Sequence, residues 1–289
     1  ALRHPVSVDT YVERTLAGAR AILVRLIGGE SYWSYGLMAV QDLARRQGIA
    51  LAVLPGDGAE DPRLDDLSTL PVSVLRELSD LCRAGGPDAG WAALSALARA
   101  AGLEAAPPPQ GQALPDCGWF DPDRGVISAP PVGEGPAVAV VFYRAWLVAG
   151  DTQPVCALIA ALRARGFSAA GLFVPSLKAP GVGEWVRAAL DALSPVAIVN
   201  ATAFSARDAA GGSALDAPDC PVFQVALSTA PQAAWAGAER GLSPADLAMH
   251  VVLPEVDGRL CAGIVSCKQP GTRDPDLQCA RTLHHAIPD

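Results

Sequence analysis

Apolar positions 8, 12 and 16 recur at helical spacing within residues 6–17, so that stretch predicts a helix. The next run, residues 21–27 (AILVRLI), is mostly apolar and partly β-branched, and predicts a strand that stops at Gly28-Gly29. Residues 35–47 read as a helix closed by Gly48, and 49–54 as a strand ended by Pro55-Gly56. Two further helices are expected over 71–83 and 88–101, broken at Gly85-Gly86-Pro87. Strand and helix alternating at these lengths imply a parallel sheet with helices on both faces.

The alternation returns further on. Strand 137–143 precedes helix 152–165, strand 169–174 precedes helix 183–193, and strand 196–200 follows. A Gly-rich loop (209–213) leads to strand 221–227, a helix near 231–237, a short helix from Ser243, and strands near 249–253 and 260–266. Between the two runs, Pro107 to Pro109, Pro115, Pro122, Pro130-Pro131 and Pro136 mark a change of character. The expected fold is therefore α/β, with two Rossmann-like or flavodoxin-like units and mainly parallel sheets. Their expected bounds are 1–105, incomplete at its start, and 137–289, with a tail trailing off after 277. Residues 106–136 would be a Pro/Gly-rich linker or crossover. The chain opens on Ala1, and reads as a segment of a longer protein.

Composition narrows the partners. The charge sum, 22 − 30 = −8, leaves no basic footprint for nucleic acid. No run approaches the ~18 apolar residues of a membrane span, and no signal peptide is evident, so a cytoplasmic location is expected. Only Lys178 and Lys268 are lysines; the other positive charges are arginines. Seven scattered cysteines without a Cys-x-x-Cys read as reduced, partly buried thiols.

Candidate chemistry sits where strands end. Gly28, Gly29, Tyr32 and Trp33 follow the first strand, where α/β proteins place ligands, and the aromatics offer flat surfaces to a ring. A capped turn with aromatics packed between domains explains the same residues. In the second unit Tyr143 and Arg144 end a strand, and Gly150-Asp151-Thr152 opens a helix. Arg144 suits a substrate carboxylate or an interdomain salt bridge equally, and Asp151 or Thr152 suits a helix cap. His250, on an apolar expected strand, reads as a core residue. Cys279 with His284-His285 is a weak soft-metal pattern. Phosphate-loop motifs are missing, and no catalytic residue or metal site is assigned in this segment.

Longer stretches carry a resemblance. They are residues 28–36 (GGESYWSYG), 54–57 (LPGD), 68–71 (STLP), Phe142-Tyr143-Arg144, Gly150-Asp151-Thr152, 173–178 (FVPSLK), 201–204 (ATAF), 240–247 (RGLSPADL) and 250–258 (HVVLPEVDG). In this order they resemble the cobaltochelatase and magnesium-chelatase H-subunit superfamily. Within it, the His250 stretch and Ser176-Leu177-Lys178 resemble the large, CobN-type subunit of aerobic cobaltochelatase over its N-terminal region. Cys267 stands where that family leads one to expect an aromatic residue. The resemblance implies ATP-dependent insertion of Co²⁺ into hydrogenobyrinic acid a,c-diamide in cobalamin synthesis. It also implies a tetrapyrrole-holding large subunit and two smaller AAA+-type partners. Co²⁺ and ATP belong to the whole complex, and none is expected on this segment alone. The alternatives are a magnesium-chelatase H-type chain and a two-lobed small-molecule binding module without catalysis.

Overall fold

A computed structural model describes the chain apart from residues 1, 3, 57–59, 108–113, 131–132, 209, 240, 276–278 and 288–289; of Asp274 and Cys279 it describes the backbone alone. The chain divides into two compact units, Ala1–Leu114 and Pro115–Asp289.

In the first unit, α1 (Pro5–Tyr11) starts on His4, whose ring accepts the Val6 N–H, and continues as a π-turn over Val12–Leu16. Then follow β1 (Ala21–Leu26), a 3₁₀ turn (Glu30–Tyr32), α2 (Ser34–Gln47) and β2 (Ala50–Pro55), parallel to β1. α3 (Pro62–Leu67), α4 (Val72–Ala84) and α5 (Gly86–Ala100) complete it. β2 is buried along its whole length because helices cover both its faces. Leu51 and Val53 pack with Val8, Leu37, Val40 and Leu64, whereas Ala52 and Leu54 pack with Leu75, Leu78 and Leu97. The Ser68-Thr69 stretch closes the outer edge of β2: Leu51 N–H donates to Thr69 Oγ1 (2.8 Å) and Val53 N–H to Ser68 Oγ (2.9 Å). Two hydroxyls thus satisfy an edge that would otherwise invite a foreign strand.

The second unit contains β3 (Gly118–Asp121), β4 (Gly125–Ile127), β5 (Ala137–Tyr143), α6 (Arg144–Ala149), α7 (Gln153–Ala164), β6 (Ser168–Val174), α8 (Val182–Leu193) and β7 (Ala197–Asn200). After a 3₁₀ turn (Ala214–Asp216) come β8 (Val222–Ser228), α9 (Gln232–Ala236), α10 (Pro244–Leu247), α11 (Leu253–Val256), β9 (Leu260–Asp274) and β10 (Cys279–Ala286). The sheet order is β10-β9-β8-β7-β5-β6-β3-β4, with β5 to β9 mutually parallel. The parallel core therefore has the flavodoxin-like order 2-1-3-4-5. Val141, Leu172 and Ile198 pack beneath α8 on one face, and Val140, Phe142 and Phe173 beneath α7 on the other.

The structure corrects four expectations. Part of the 106–136 segment is a hairpin, not a linker: β3 pairs antiparallel with β6, and β4 with β3. Trp119 and Phe120 point into the two opposite cores, so a four-residue strand holds among the prolines. Residues 249–253 are no strand: Ala248–Val252 form a π-turn that runs into α11, because Ser243 and Pro244 start a helix that Pro254 can continue at its own first turn. The tail instead supplies β10, antiparallel to a β9 much longer than expected. Finally, a short extra helix, α6, separates β5 from α7. Asp57 and Arg240, which belong to two of the stretches that carry the resemblance, lie outside the described residues.

Candidate functional site

The chain leaves β5 for β6 on one side of the sheet and then crosses to β7 on the other, so a crevice opens beyond these three strand ends. Tyr143 ends β5, Ser176, Leu177 and Lys178 follow β6, and Thr202 to Ala206 follow β7; together they line a cavity of about 220 Å³.

A fully bonded polar network holds this end of the sheet. Asn200 Nδ2 donates to Gln224 Oε1 (2.7 Å), Thr202 Oγ1 donates to Asn200 Oδ1 (2.8 Å), and Gln224 Nε2 donates to the Thr202 carbonyl (2.7 Å). All three side chains are buried, and their mutual bonds fix β7 against β8. Tyr143 OH donates to the Ala203 carbonyl (2.8 Å) and accepts the Ala203 N–H. Burial pushes its phenol above the ordinary value, with bonds to Ala203 and Thr202 pulling the other way.

The next residues are clamped from behind. The Asp257 carboxylate accepts the Ser205 hydroxyl (2.7 Å) and the Ala206 N–H (2.6 Å), and the Phe204 N–H donates to the Met249 carbonyl. Between these anchors Phe204 sits at φ 67°, a left-handed backbone that a bulky residue adopts only when its surroundings impose it. Its ring is nonetheless 51% exposed.

Of the residues expected to face a ligand, Tyr143 alone lines this cavity. Arg144 is only 7% exposed; its Nε donates to the Pro115 carbonyl (2.8 Å) and lies 3.9 Å from Asp116. Thr152 precedes α7 without a side-chain cap bond, and Asp151 instead accepts the His284 backbone N–H (2.8 Å), docking β10 on the α6–α7 turn.

In the first unit, Gly28 (φ 96°) and Gly29 (φ 71°) take the left-handed turn that β1 needs to enter the 3₁₀ segment. Tyr32 is 67% exposed, while Trp33 is half-buried and donates from Nε1 to the Leu2 carbonyl (2.7 Å). Tyr32 and Trp33, with Leu2, Val8, Leu26 and Tyr35, line an open apolar groove of about 810 Å³.

Sequence reasoning left Ser176, Lys178, Thr202 and Ser205 out of the site, although three of them lie in stretches it singled out. Only their position at strand ends marked them. Asp257 lies in the 250–258 stretch, but its role at the cavity wall had no local signal, because its partners are 51 and 52 residues away.

The histidines go elsewhere. His284 Nδ1 lies 3.1 Å from Ser266 Oγ, its ring stacks on Trp146, and burial drives its pKa down to about 4. His285 faces the opposite way and is exposed. His250 is buried, its Nδ1 has no partner, and burial lowers its pKa against the pull of Asp246. Among the described residues no three His, Cys, Asp or Glu side chains are placed to hold a metal, and no helix is long and apolar enough to cross a membrane. Burial raises the Cys117 thiol to about 11 and raises that of Cys267 as well, which leaves both protonated at neutral pH.

The cavity of this doubly wound α/β unit lies at the switch point, the place where proteins of this fold class hold ligands. The CobN/Magnesium Chelatase family model matches residues 81–289, and the chain belongs to that family. It is 38% identical to the aerobic cobaltochelatase subunit CobN of a Sinorhizobium species, over 99% of this chain and 24% of that protein. To the H component of magnesium chelatase from Rhodobacter capsulatus it is 29% identical, over 62% of this chain and 16% of that one. Among solved structures, the catalytic subunit of cobaltochelatase from Mycobacterium tuberculosis matches 97% of this chain with a TM-score of 0.65 at 27% identity, over 23% of its own length. The chain thus spans about a quarter of the cobaltochelatase relatives it resembles.

Proposed function

We propose that this chain is the N-terminal portion of a cobaltochelatase large subunit. The whole subunit, with two smaller AAA+-type subunits, inserts Co²⁺ into hydrogenobyrinic acid a,c-diamide at the expense of ATP in the cytoplasm. The observation that carries this reading is the 38% identity to a CobN subunit across 99% of the chain, against 29% across 62% for a magnesium-chelatase relative.

The part played by this segment is binding rather than turnover. Two of its concave surfaces lie beyond the C-terminal ends of parallel strands, the cavity after β5, β6 and β7 and the groove after β1. Gly28, Gly29, Tyr32 and Trp33 present the groove to tetrapyrrole or to a neighbouring domain of the subunit. Tyr143 shapes the cavity, while Arg144 and Thr152 brace the turns behind it. That β5 runs straight into Arg144 and α6, without a glycine loop that would wrap a phosphate, supports assigning ATP to the partner subunits. The nucleotide belongs to the partners, and cobalt is cargo whose ligands lie in the rest of the subunit.

The test is reconstitution. The full-length subunit with its two smaller partners should insert Co²⁺ into the diamide when ATP is present, and should leave protoporphyrin IX and Mg²⁺ unreacted. The 289-residue chain alone should show neither ATPase nor insertion activity. Magnesium insertion would move the protein to the magnesium-chelatase branch. Tight diamide binding by a subunit that never inserts metal would mean a binding module.

A further inference from the structure

We propose that the switch-point cavity is a carboxylate subsite, in which Lys178 and Ser176 receive the carboxylate of an organic acid and the Phe204 ring covers the apolar frame that carries it. This deepens the reading above, which makes the cavity a ligand surface.

Accounting for the lining groups points to the ligand's charge. Tyr143 OH is committed to Ala203, Thr202 Oγ1 to Asn200, and Ser205 Oγ to Asp257. The Asp257 carboxylate behind the wall is filled by Ser205 and Ala206 and lies 3.5 Å from Arg207. Two groups remain. Ser176 Oγ accepts the Lys178 N–H, so its own proton is free to be donated. Lys178 is an exposed residue that lines the cavity, and its ammonium, on a flexible stem, has no ion-pair or hydrogen-bond partner among the described residues. Both are donors, and one is a cation. A ligand that satisfies them must accept hydrogen bonds and carry negative charge.

Size and shape select the class. At about 30 Å³ per water, a cavity of about 220 Å³ holds some seven waters' worth of ligand. That is the size of a small acid or of one acidic arm of a larger molecule, well short of a macrocycle. Leu177 and the exposed Phe204 ring give it an apolar wall, which a bare inorganic anion would leave unused. Phe204 holds its left-handed backbone between the Met249 and Asp257 anchors, which fixes its Cα at the cavity wall.

The 289-residue chain allows a direct test, because Lys178 and Lys268 are its only lysines. Reductive ¹³C-methylation keeps their charge and gives each an NMR signal, with Lys178→Gln assigning the first. Benzoate should shift the Lys178 signal saturably and leave Lys268 in place. Neutral benzamide should bind at least about tenfold more weakly, as should benzoate to Lys178→Gln by calorimetry. Phe204→Ala should weaken benzoate about three- to tenfold, and inorganic phosphate should bind more weakly than benzoate. The proposal is overturned if benzoate produces no saturable shift at Lys178, if benzamide or Lys178→Gln keeps wild-type affinity, or if phosphate matches benzoate. It is likewise overturned if Phe204→Ala is neutral. Failure here with cobalt insertion intact in the reconstituted complex would remove the subsite and leave the chelatase reading standing.

Discussion

The buried Asp257 carboxylate reaches across 51 residues of sequence to accept the Ala206 N–H at 2.6 Å, and so sets the position of the loop that walls the switch-point cavity. Its other oxygen takes the Ser205 hydroxyl, and Arg207 lies 3.5 Å away. Asp257→Ala would strand a buried N–H and a hydroxyl at once. The expected loss is about 2–4 kcal/mol in denaturant unfolding, since bonds to a charged acceptor contribute about 1.5–3 kcal/mol each and the two are not additive. Hydrogen exchange should show Ala206 losing protection first. Unchanged protection there would mean that Met249 and Tyr143 hold the loop unaided.

Gly36 lies under the indole of Trp33, so a Cβ at that position would fall inside the ring. Gly36→Ala should therefore cost about 1–3 kcal/mol or more by overpacking, and should release the Leu2 bond. Gly48→Ala is the control: its Cβ meets nothing, and the cost is the ~1–2 kcal/mol of a left-handed backbone at a helix end. Trp33→Ala should lower Tm, whereas Tyr32→Ala, at an exposed side chain, should leave Tm unchanged and weaken only ligand binding. Equal Tm for Trp33→Ala and wild type would remove Trp33 from the core and leave it a contact residue.

His284 should make the fold acid-sensitive. Burial is the largest cause holding its pKa near 4; Lys268 and His250 add to the depression, and Asp151 and Asp246 oppose it. From pH 6.5 down to about 4 the unfolded chain binds a proton that the folded ring refuses, so stability is full above this window and falls within it. The drop should reach about 3.5 kcal/mol at most, at ~1.4 kcal/mol per pH unit. His284→Phe keeps the stack on Trp146 and should flatten the profile, at a constant cost of about 1–3 kcal/mol for the stranded Ser266 hydroxyl. Parallel profiles for the two proteins would assign the acid sensitivity to other groups.

Arg163 ties the β3–β4 hairpin to the sheet through a 2.6 Å bond to the buried Asp121 carboxylate. Burial alone would raise that carboxyl, but Arg163 and the N–H groups of Asp123 and Arg124 outweigh it and lower its pKa. Arg163→Ala should leave the carboxylate without its cation and destabilise by about 1–3 kcal/mol, less than breaking a fully buried pair because the Arg163 side chain is 31% exposed and the Asp123 and Arg124 N–H groups remain. Asp121→Asn can keep one oxygen for the Asp123 and Arg124 N–H groups but turns an amide donor toward Arg163, so it should also destabilise the hairpin. Amide exchange at Trp119 and Phe120 in Arg163→Ala should outpace exchange in β5. Equal rates would mean that side-chain packing alone retains the hairpin.

Where a segment buries a face against its immediate chain neighbours, its pattern announced it. β1, α2, β2, β5, β6, α8, β7 and β8 all fall within about two residues of their expected bounds, because a parallel strand buried on both faces must be an unbroken apolar run and its helix must carry an apolar stripe. Gly28-Gly29 and the switch-point stretches were likewise legible as strand ends, and the order of the stretches carried the family. The elements that were misread depend on distant partners. β3 is held by Asp121 meeting Arg163 across 42 residues, and β10 by Asp151 receiving the His284 N–H across 133. The apolar run at 249–253 has a composition that serves strand or helix equally, and its helical outcome follows from the caps and packing around it. The cavity has the same origin. Lys178, Ser176 and Phe204 lie in stretches that carry the resemblance but bear no sign of proximity, and they share a ligand-sized space only because the strand order reverses about β5, with β6 on one side and β7 on the other. Local periodicity records which faces are buried; the tertiary fold decides which polar groups meet, because their partners are chosen by topology rather than by spacing along the chain.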